Sequence, residues 1–293
     1  MADRRGDSVR RPFRRLRQKQ TLASFDYQWK ELPEGGGLLT DDWFGEHVDE
    51  ILSEELLCLT RDWFAGKRVL DAGCGNGRWT IGLLRLGSEV VAVDASSHGL
   101  RRLEEAVDDL VPEGRERLET REIDLLRLPE DLASDRFDLV FSFGVLHHTG
   151  DTWRALENIA RLVAGDGVLF LYLYGRESLG APTRAKLQLT RLALAPLPFG
   201  LKRWLLESRP QLDVHQAFDS LSPTINERHS MAEVTEHLSA ADFPSIERTI
   251  DHSELFVRAL RNPVAVQEYE LSHPTPPYWF DRYSPEDGVH IGS

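Results

Sequence analysis

The sequence predicts an α/β fold: a doubly wound, mostly parallel sheet with a helical segment before it and a helical lid inserted into it. Three observations carry that expectation. Short apolar runs at 68–70, 90–93, 137–142 and 168–172 alternate with helical periodicity at about 78–87, 97–111 and 151–163. Strands that are apolar on both alternating faces belong to a sheet covered on both sides. A glycine-rich loop follows the first run, and acids stand at successive strand ends, where such sheets bind their ligands.

Along the chain, residues 1–20 hold eight Lys or Arg and two Asp, and are expected as a basic flexible arm. The 293 residues carry a formal charge of −13, so an arm of +6 leaves −19 on the remainder. So acidic a body argues against general adhesion to nucleic acid, while the arm alone suits a nucleic acid or an anionic membrane. Residues 21–66 form a mixed segment with Trp29, Trp43 and Trp63 as anchors and a Gly35-Gly36-Gly37 turn. Within it, Val48, Ile51, Leu52, Leu56 and Leu57 fall at helical spacing.

Residues 67–175 and 230–261 are expected to make the core. Ser230 and Glu233 form a capping-box signature for a helix over 230–241, and two strand-like runs within 245–260 complete a sheet edge. The intervening 176–229 is the lid, apolar and basic from Arg184 to Glu207 and broken by Pro196 and Pro198. Residues 262–293 show no period and are expected as an irregular tail. No run of about 18 uncharged apolar residues suits a membrane span. The Arg-rich start lacks the apolar core of a secretory signal. Two cysteines, Cys58 and Cys74, make no disulfide framework, so a reducing, cytoplasmic setting is expected.

The glycine loop reads Asp71-Ala72-Gly73-Cys74-Gly75-Asn76-Gly77. Dinucleotide loops need G-x-G-x-x-G, but here Arg78 takes the sixth place and glycine comes one residue early. Asp71 ends the first strand, placed for a ligand ammonium or the loop amides, and would repel a pyrophosphate. Asp94 ends the second strand, 19 residues beyond Gly75, where a carboxylate accepts both hydroxyls of a ribose. Asp124 stands at the third strand end, within reach of an adenine amino group.

This constellation resembles the Rossmann-like, class I S-adenosylmethionine-dependent methyltransferases over roughly 65–175. The resemblance implies S-adenosylmethionine as cofactor and S-adenosylhomocysteine as product. It puts Gly73 and Gly75 at the methionine part, Asp94 at the ribose and Asp124 at the adenine, with Phe143 and Gly144 near the reactive methyl. Asp71, Cys74, Gly77, Ala95 and Leu125 complete the expected cofactor set. Upstream, Phe25-Asp26-Tyr27-Gln28-Trp29 resembles the aromatic segment of a bacterial small-molecule subgroup, placed with ubiquinone-biosynthesis-like and sugar O-methyltransferases. So do Tyr172 to Gly175 and Phe218 to Pro223. Trp29 and Tyr27 then either close over the cofactor or pack as core aromatics.

Methyl transfer from a sulfonium is an in-line displacement, in which the protein aligns a nucleophile and removes its proton. His147 and His148 follow the fourth strand at the catalytic end, and either is a candidate base for a hydroxyl acceptor. Asp151 is placed to orient a histidine or to cap the next helix. Tyr174 and His229 are candidate acceptor-binding residues; His215, His237 and His252 are weaker ones. Related enzymes carry an acid at the end of the next strand, where this chain has Tyr172 and Tyr174. No compact ligand group fixes a divalent ion, so no metal is expected.

The leading expectation is a small-molecule O-methyltransferase. The alternatives are an RNA methyltransferase using the basic arm, and a non-catalytic cofactor-binding protein of the same fold. The expected partners are a small-molecule acceptor and, through residues 1–20 and 182–207, a peripheral membrane or other anionic surface.

Overall fold

In a computed structural model of the chain, the described residues are 5–32, 42–209, 214–272 and 278–279. The expected Gly35-Gly36-Gly37 turn lies outside them, as do residues 1–4 of the arm and 280–293 of the tail. The core is a seven-stranded sheet in the order β3-β2-β1-β4-β5-β7-β6. Its strands are β1 (Arg68–Ala72), β2 (Glu89–Asp94), β3 (Leu118–Glu122), β4 (Phe137–Phe143), β5 (Val163–Leu173), β6 (Ser245–Arg248) and β7 (Leu255–Leu260). The first five pair in parallel, whereas β7 runs antiparallel between β5 and β6.

The apolar runs are explained by burial on both faces. On one face Val69, Leu139, Phe141, Val168 and Phe170 join one core. On the other, Leu70, Ala72, Val140, Leu169 and Leu171 join a second. The winding reverses between β1 and β4, so the crevice at their carboxyl ends is the place where this topology puts a ligand.

The expected helices are present. With α1 (Arg5–Glu31) and α2 (Asp42–Glu50) before the sheet, α3 (Arg78–Arg85), α4 (Ser97–Leu110), α5 (Glu130–Ser134) and α6 (Thr152–Ala160) connect its strands. The lid consists of α7 (Ala181–Leu194), α8 (Phe199–Glu207) and α9 (Val214–Leu221), with the break falling at Pro196 and Pro198. Helix α10 (Met231–Ala240) has the capping box in full: Ser230 accepts from the Glu233 amide and Glu233 from the Ser230 amide. The spacing from Val48 to Leu57 is helical as expected, but α2 passes into a wider π-helical turn over Ile51–Leu56.

Two expectations change. Residues 5–20 are not a flexible arm but the first half of α1. Two of their polar side chains are tied down: the Gln18 amide donates to the Thr149 carbonyl (2.9 Å), and the Gln20 amide to the Ser222 carbonyl (2.8 Å). One turn on, the buried Ser24 hydroxyl donates to Ser222 Oγ (2.6 Å). The helix docks through hydrogen bonds rather than an apolar stripe, so it offers no hydrophobic period to read. In the expected tail, Pro263–Tyr269 is a 3₁₀ helix, and Trp279 is fully buried with ring centroids 5.8 Å from Trp79 and 6.0 Å from Phe44. Among the described residues no helix is long and apolar enough to cross a membrane.

Hydrogen exchange tests the docking of α1. Amides from 18 to 28 should be protected nearly as well as those of the sheet; exchange within seconds would return this segment to a loose arm.

Candidate active site

The glycine loop is strung from β2. The amides of Gly73 and Cys74 both donate to the Val93 carbonyl (2.7 and 3.0 Å). Gly73 has φ +89 and Gly75 φ +55, left-handed conformations that L side chains rarely adopt. Packing requires the glycines as well. A Cβ at 73 would overlap Val145, and one at 75 would lie 2.9 Å from the Trp29 ring. Trp29 therefore rests on the loop from above, with His215 beside it (ring centroids 6.0 Å). Gly77 is the N-cap of α3, and buried Cys74 has its thiol pKa pushed up by burial.

Asp94 holds this arrangement. One carboxylate oxygen accepts from the Gly75 amide (3.0 Å) and the other from the Ser96 amide (2.8 Å). Ser96 then caps α4 and donates to Asp26 of α1 (2.8 Å). Among the described residues no cation pairs with Asp94, and burial holds its pKa above the ordinary carboxylate value. Ala95 continues the same turn, half-buried. Asp124 lies two residues past β3, exposed, and accepts from the Leu126 amide (2.9 Å). Leu125 is buried, with its carbonyl taken by Asn158 (2.8 Å).

Asp71 is placed differently from expectation. It is sealed beneath the loop, where it accepts a hydrogen bond from Thr80 (2.6 Å) rather than from loop amides. Burial raises its pKa to about 7, against the Thr80 hydrogen bond.

The carboxyl end of β4 supplies the second half of the site. Phe143 stacks on Tyr172 (4.3 Å), Gly144 turns at φ +77, and a 3₁₀ turn over Leu146–His148 follows. His147 is fully buried between His148 (4.3 Å) and Tyr174 (3.9 Å), and neither ring nitrogen has a partner. His148 is oriented: its Nδ1 lies 2.8 Å from the Ile225 carbonyl. A carbonyl only accepts, so Nδ1 carries the proton, and in the neutral ring Nε2 is left with a free lone pair. Burial lowers the pKa of both histidines, so both are neutral near pH 7. Phe25 of α1 closes edge-on over His148 at 4.9 Å.

A carboxylate reaches this strand end from the lid. Asp219 of α9 accepts from the Tyr174 hydroxyl (3.2 Å) and acts on His148 electrostatically, raising its pKa against burial. The sequence places Asp219 only within a family-like segment; nothing local marks its approach to β5. His229, expected at the acceptor, is instead a strut. Its Nε2 lies 3.1 Å from Thr152 Oγ1, its ring packs on Trp153 (4.6 Å), and its amide donates to the Tyr174 carbonyl (2.9 Å). Burial drops its pKa to about 4. Asp151 neither orients a histidine nor caps α6 with its side chain; it pairs with Arg14 (2.7 Å). Of the weaker candidates, His215 meets Gln28 (2.9 Å), His237 stacks on Trp153 (4.0 Å), and His252 accepts from the Glu254 amide (3.0 Å).

An adenosyl ligand fits this donor set. Asp94 is a carboxylate without a cation that keeps lone pairs for two hydroxyl donors, Asp124 is open to an amino group, and Trp29 offers an aromatic wall at the loop. Among the described residues, no group of three or more His, Cys, Asp or Glu is arranged to hold a metal ion.

The raised pKa of Asp71 predicts a pH dependence. The native state holds this proton up to about pH 7, while the unfolded chain releases it near pH 4. Its contribution to stability is therefore lost as pH rises from 4 to 7. Asp71→Asn should flatten the corresponding fall in Tm over that window, and parallel Tm curves for the two proteins would refute the assignment.

A methyltransferase-domain family model matches residues 70–169. The ubiquinone biosynthesis O-methyltransferase of Dechloromonas aromatica is 30% identical over 148 residues, covering 48% of this chain and 61% of the relative. The protein of the same name from Mesorhizobium japonicum is 29% identical over 117 residues, covering 39% and 43%. The chain thus spans about half the length of the curated relatives it matches. Among solved structures, a chain of the complex between the Haloferax volcanii Trm112 methyltransferase activator and its methyltransferase superposes with a TM-score of 0.52. It is 15% identical, with 81% of this chain and 97% of that one covered. The sheet order and the glycine loop tied to Asp94 agree with the matched model, and residues 70–169 form a methyltransferase domain.

Proposed function

We propose that the protein transfers a methyl group from S-adenosylmethionine to a hydroxyl of a small-molecule acceptor, with His148 as the base. When bound, S-adenosylmethionine supplies a sulfonium methyl open to displacement. The chain's own part is to seat the cofactor through Asp94, Asp124 and the glycine loop, and to accept the acceptor's proton. The observation that carries the reading is the fixed tautomer of His148. The Ile225 carbonyl holds Nδ1–H, Nε2 is left basic, and the residue stands at the carboxyl end of β4, beside the crevice. Asp219 lies on the side that stabilises the charge formed when His148 takes a proton. The curated relatives are named as O-methyltransferases, which supports a hydroxyl acceptor.

Helix α1 weakens the RNA reading. Arg14 pairs with Asp151 and Arg17 donates to the Thr224 carbonyl, so part of its positive charge serves the fold. Contact with a lipid surface is a separate proposal, supported by Phe13, Leu16, Leu189, Leu192, Leu201 and Trp204, all large, apolar and exposed on α1, α7 and α8.

Calorimetric titration tests the cofactor. S-adenosylmethionine and S-adenosylhomocysteine should bind and NAD should not; binding of NAD alone would end the reading. Asp94→Ala should weaken S-adenosylhomocysteine binding by about tenfold to hundredfold, the range for hydrogen bonds to a charged group. His148→Ala should lower kcat by about 10²–10⁴-fold with cofactor affinity retained; full kcat in that variant would remove the base. Because burial lowers the His148 pKa, its basic form persists below pH 6.5. The acid limb of kcat/KM should therefore fall below that pH, and a limb centred above 7 would point to another group.

A further inference from the structure

A cavity of about 210 Å³ lies between α7 and the segment 226–228, lined by Arg176, Arg184, Arg191, Arg228, Gln188 and Asn226 among others. Two of the four guanidinium groups are neutralised. Arg176 pairs with Glu233 (2.7 Å), and Arg228 with the fully buried Glu254 (3.0 Å). The other two are not. Arg184 donates to the carbonyls of Arg176 (2.6 Å) and Leu179 (2.8 Å), and Arg191 to the Ser220 carbonyl (2.7 Å). Among the described residues neither makes an ion pair with a carboxylate.

Arg184 and Arg191 are seven residues apart on α7, two turns along one face. Arg191 is almost wholly buried, and burial with the neighbouring Arg228 lowers its pKa to about 10. The Asp219 carboxylate raises the Arg191 pKa against burial without pairing with it, so a bound anion would complete both guanidinium groups. The Asn226 side-chain oxygen is likewise buried with no partner. An amide's O and N are assigned by its surroundings, so Asn226 can equally present its NH₂ to a ligand.

The cavity adjoins the proposed base. Arg228 lines it and also lies over the Tyr174 ring (5.0 Å), which packs in turn on His147 (3.9 Å) and edge-on to His148 (5.7 Å). We propose, on the methyltransferase reading above, that this pocket binds an oxyanion of the methyl acceptor, a carboxylate or phosphate, held by Arg184 and Arg191. Bidentate guanidinium contacts would then orient the acceptor relative to His148.

The test is calorimetric titration of the full chain with inorganic phosphate, benzoate and the neutral isostere benzamide, and with S-adenosylhomocysteine as a separate arm. Phosphate and benzoate should bind and benzamide should not. Arg184→Gln, at a half-buried position, should weaken oxyanion binding about tenfold to hundredfold while leaving S-adenosylhomocysteine affinity unchanged. Arg191→Lys, which keeps the charge but not the fork, should also weaken it.

A second readout ties the pocket to the site. Arg191 and Arg228 lower the His148 pKa, Asp219 raises it, and the neutral His147 packs against it. Phosphate in the pocket should therefore raise the His148 pKa, measured by NMR titration of the imidazole. The proposal is overturned by absent oxyanion binding, by equal binding of benzamide, by unchanged affinity in Arg184→Gln, or by an unmoved His148. Oxyanion binding without any S-adenosylhomocysteine binding would instead fail the parent reading, and the acceptor assignment with it.

Discussion

Helix α1 lies over the catalytic end of the sheet because its buried hydroxyls and amides find partners only there. Thr21, Ser24 and Gln28 are each almost wholly buried, and an unsatisfied polar group in such a place costs about 1–3 kcal/mol. Residues 222–225 satisfy Thr21 and Ser24, and His215 meets the Gln28 amide nitrogen. Once that register is set, five consecutive side chains go to five destinations. Phe25 meets His148, Asp26 meets Ser96 and His98, and Tyr27 stacks between Phe199 and Phe218. Gln28 meets His215, and Trp29 covers Gly75. A slip of one residue would misplace all of them, so the aromatic cover of the glycine loop, the setting of His148 and the lid share one positional constraint.

The charges around the crevice are arranged by similar logic. Among the described residues Asp94 accepts from backbone amides and pairs with no cation, and Arg184 and Arg191 donate to carbonyls and pair with no carboxylate. Structural ion pairs elsewhere in the region are closed, as between Arg228 and the buried Glu254. Incomplete groups beside completed ones that only hold the fold are what the proposed ligand recognition requires. The histidines are buried and neutral, which is the state the proposed base needs in order to accept a proton.

How far the sequence could be read depends on how local each signal is. The sheet was legible because both faces of β1, β4 and β5 are buried, which leaves an uninterrupted apolar run. The loop at Gly73 to Gly77, Asp94 and the histidines after β4 were legible because each is a short motif fixed to a strand end. Helix α1 was not, since Gln18, Gln20 and Ser24 dock through hydrogen bonds and resemble a solvated surface in one dimension. His229 looked like a ligand-binding residue because nothing in its neighbourhood announces Thr152, 77 residues away. Asp219 and the four arginines of the lid cavity were scattered, and only the folding of the lid onto β5 brings them together.

The contacts of α1 also order the events by which the protein comes to exist. Ser24 bonds to a residue 198 positions later, and Thr21 to one 203 positions later. As the chain leaves the ribosome, α1 lacks these partners until residue 225 has followed it. Sheet strands β1 to β5 can pair long before then. Helix α1 thus docks long after it is made, and until the lid is synthesised its polar face stays in water.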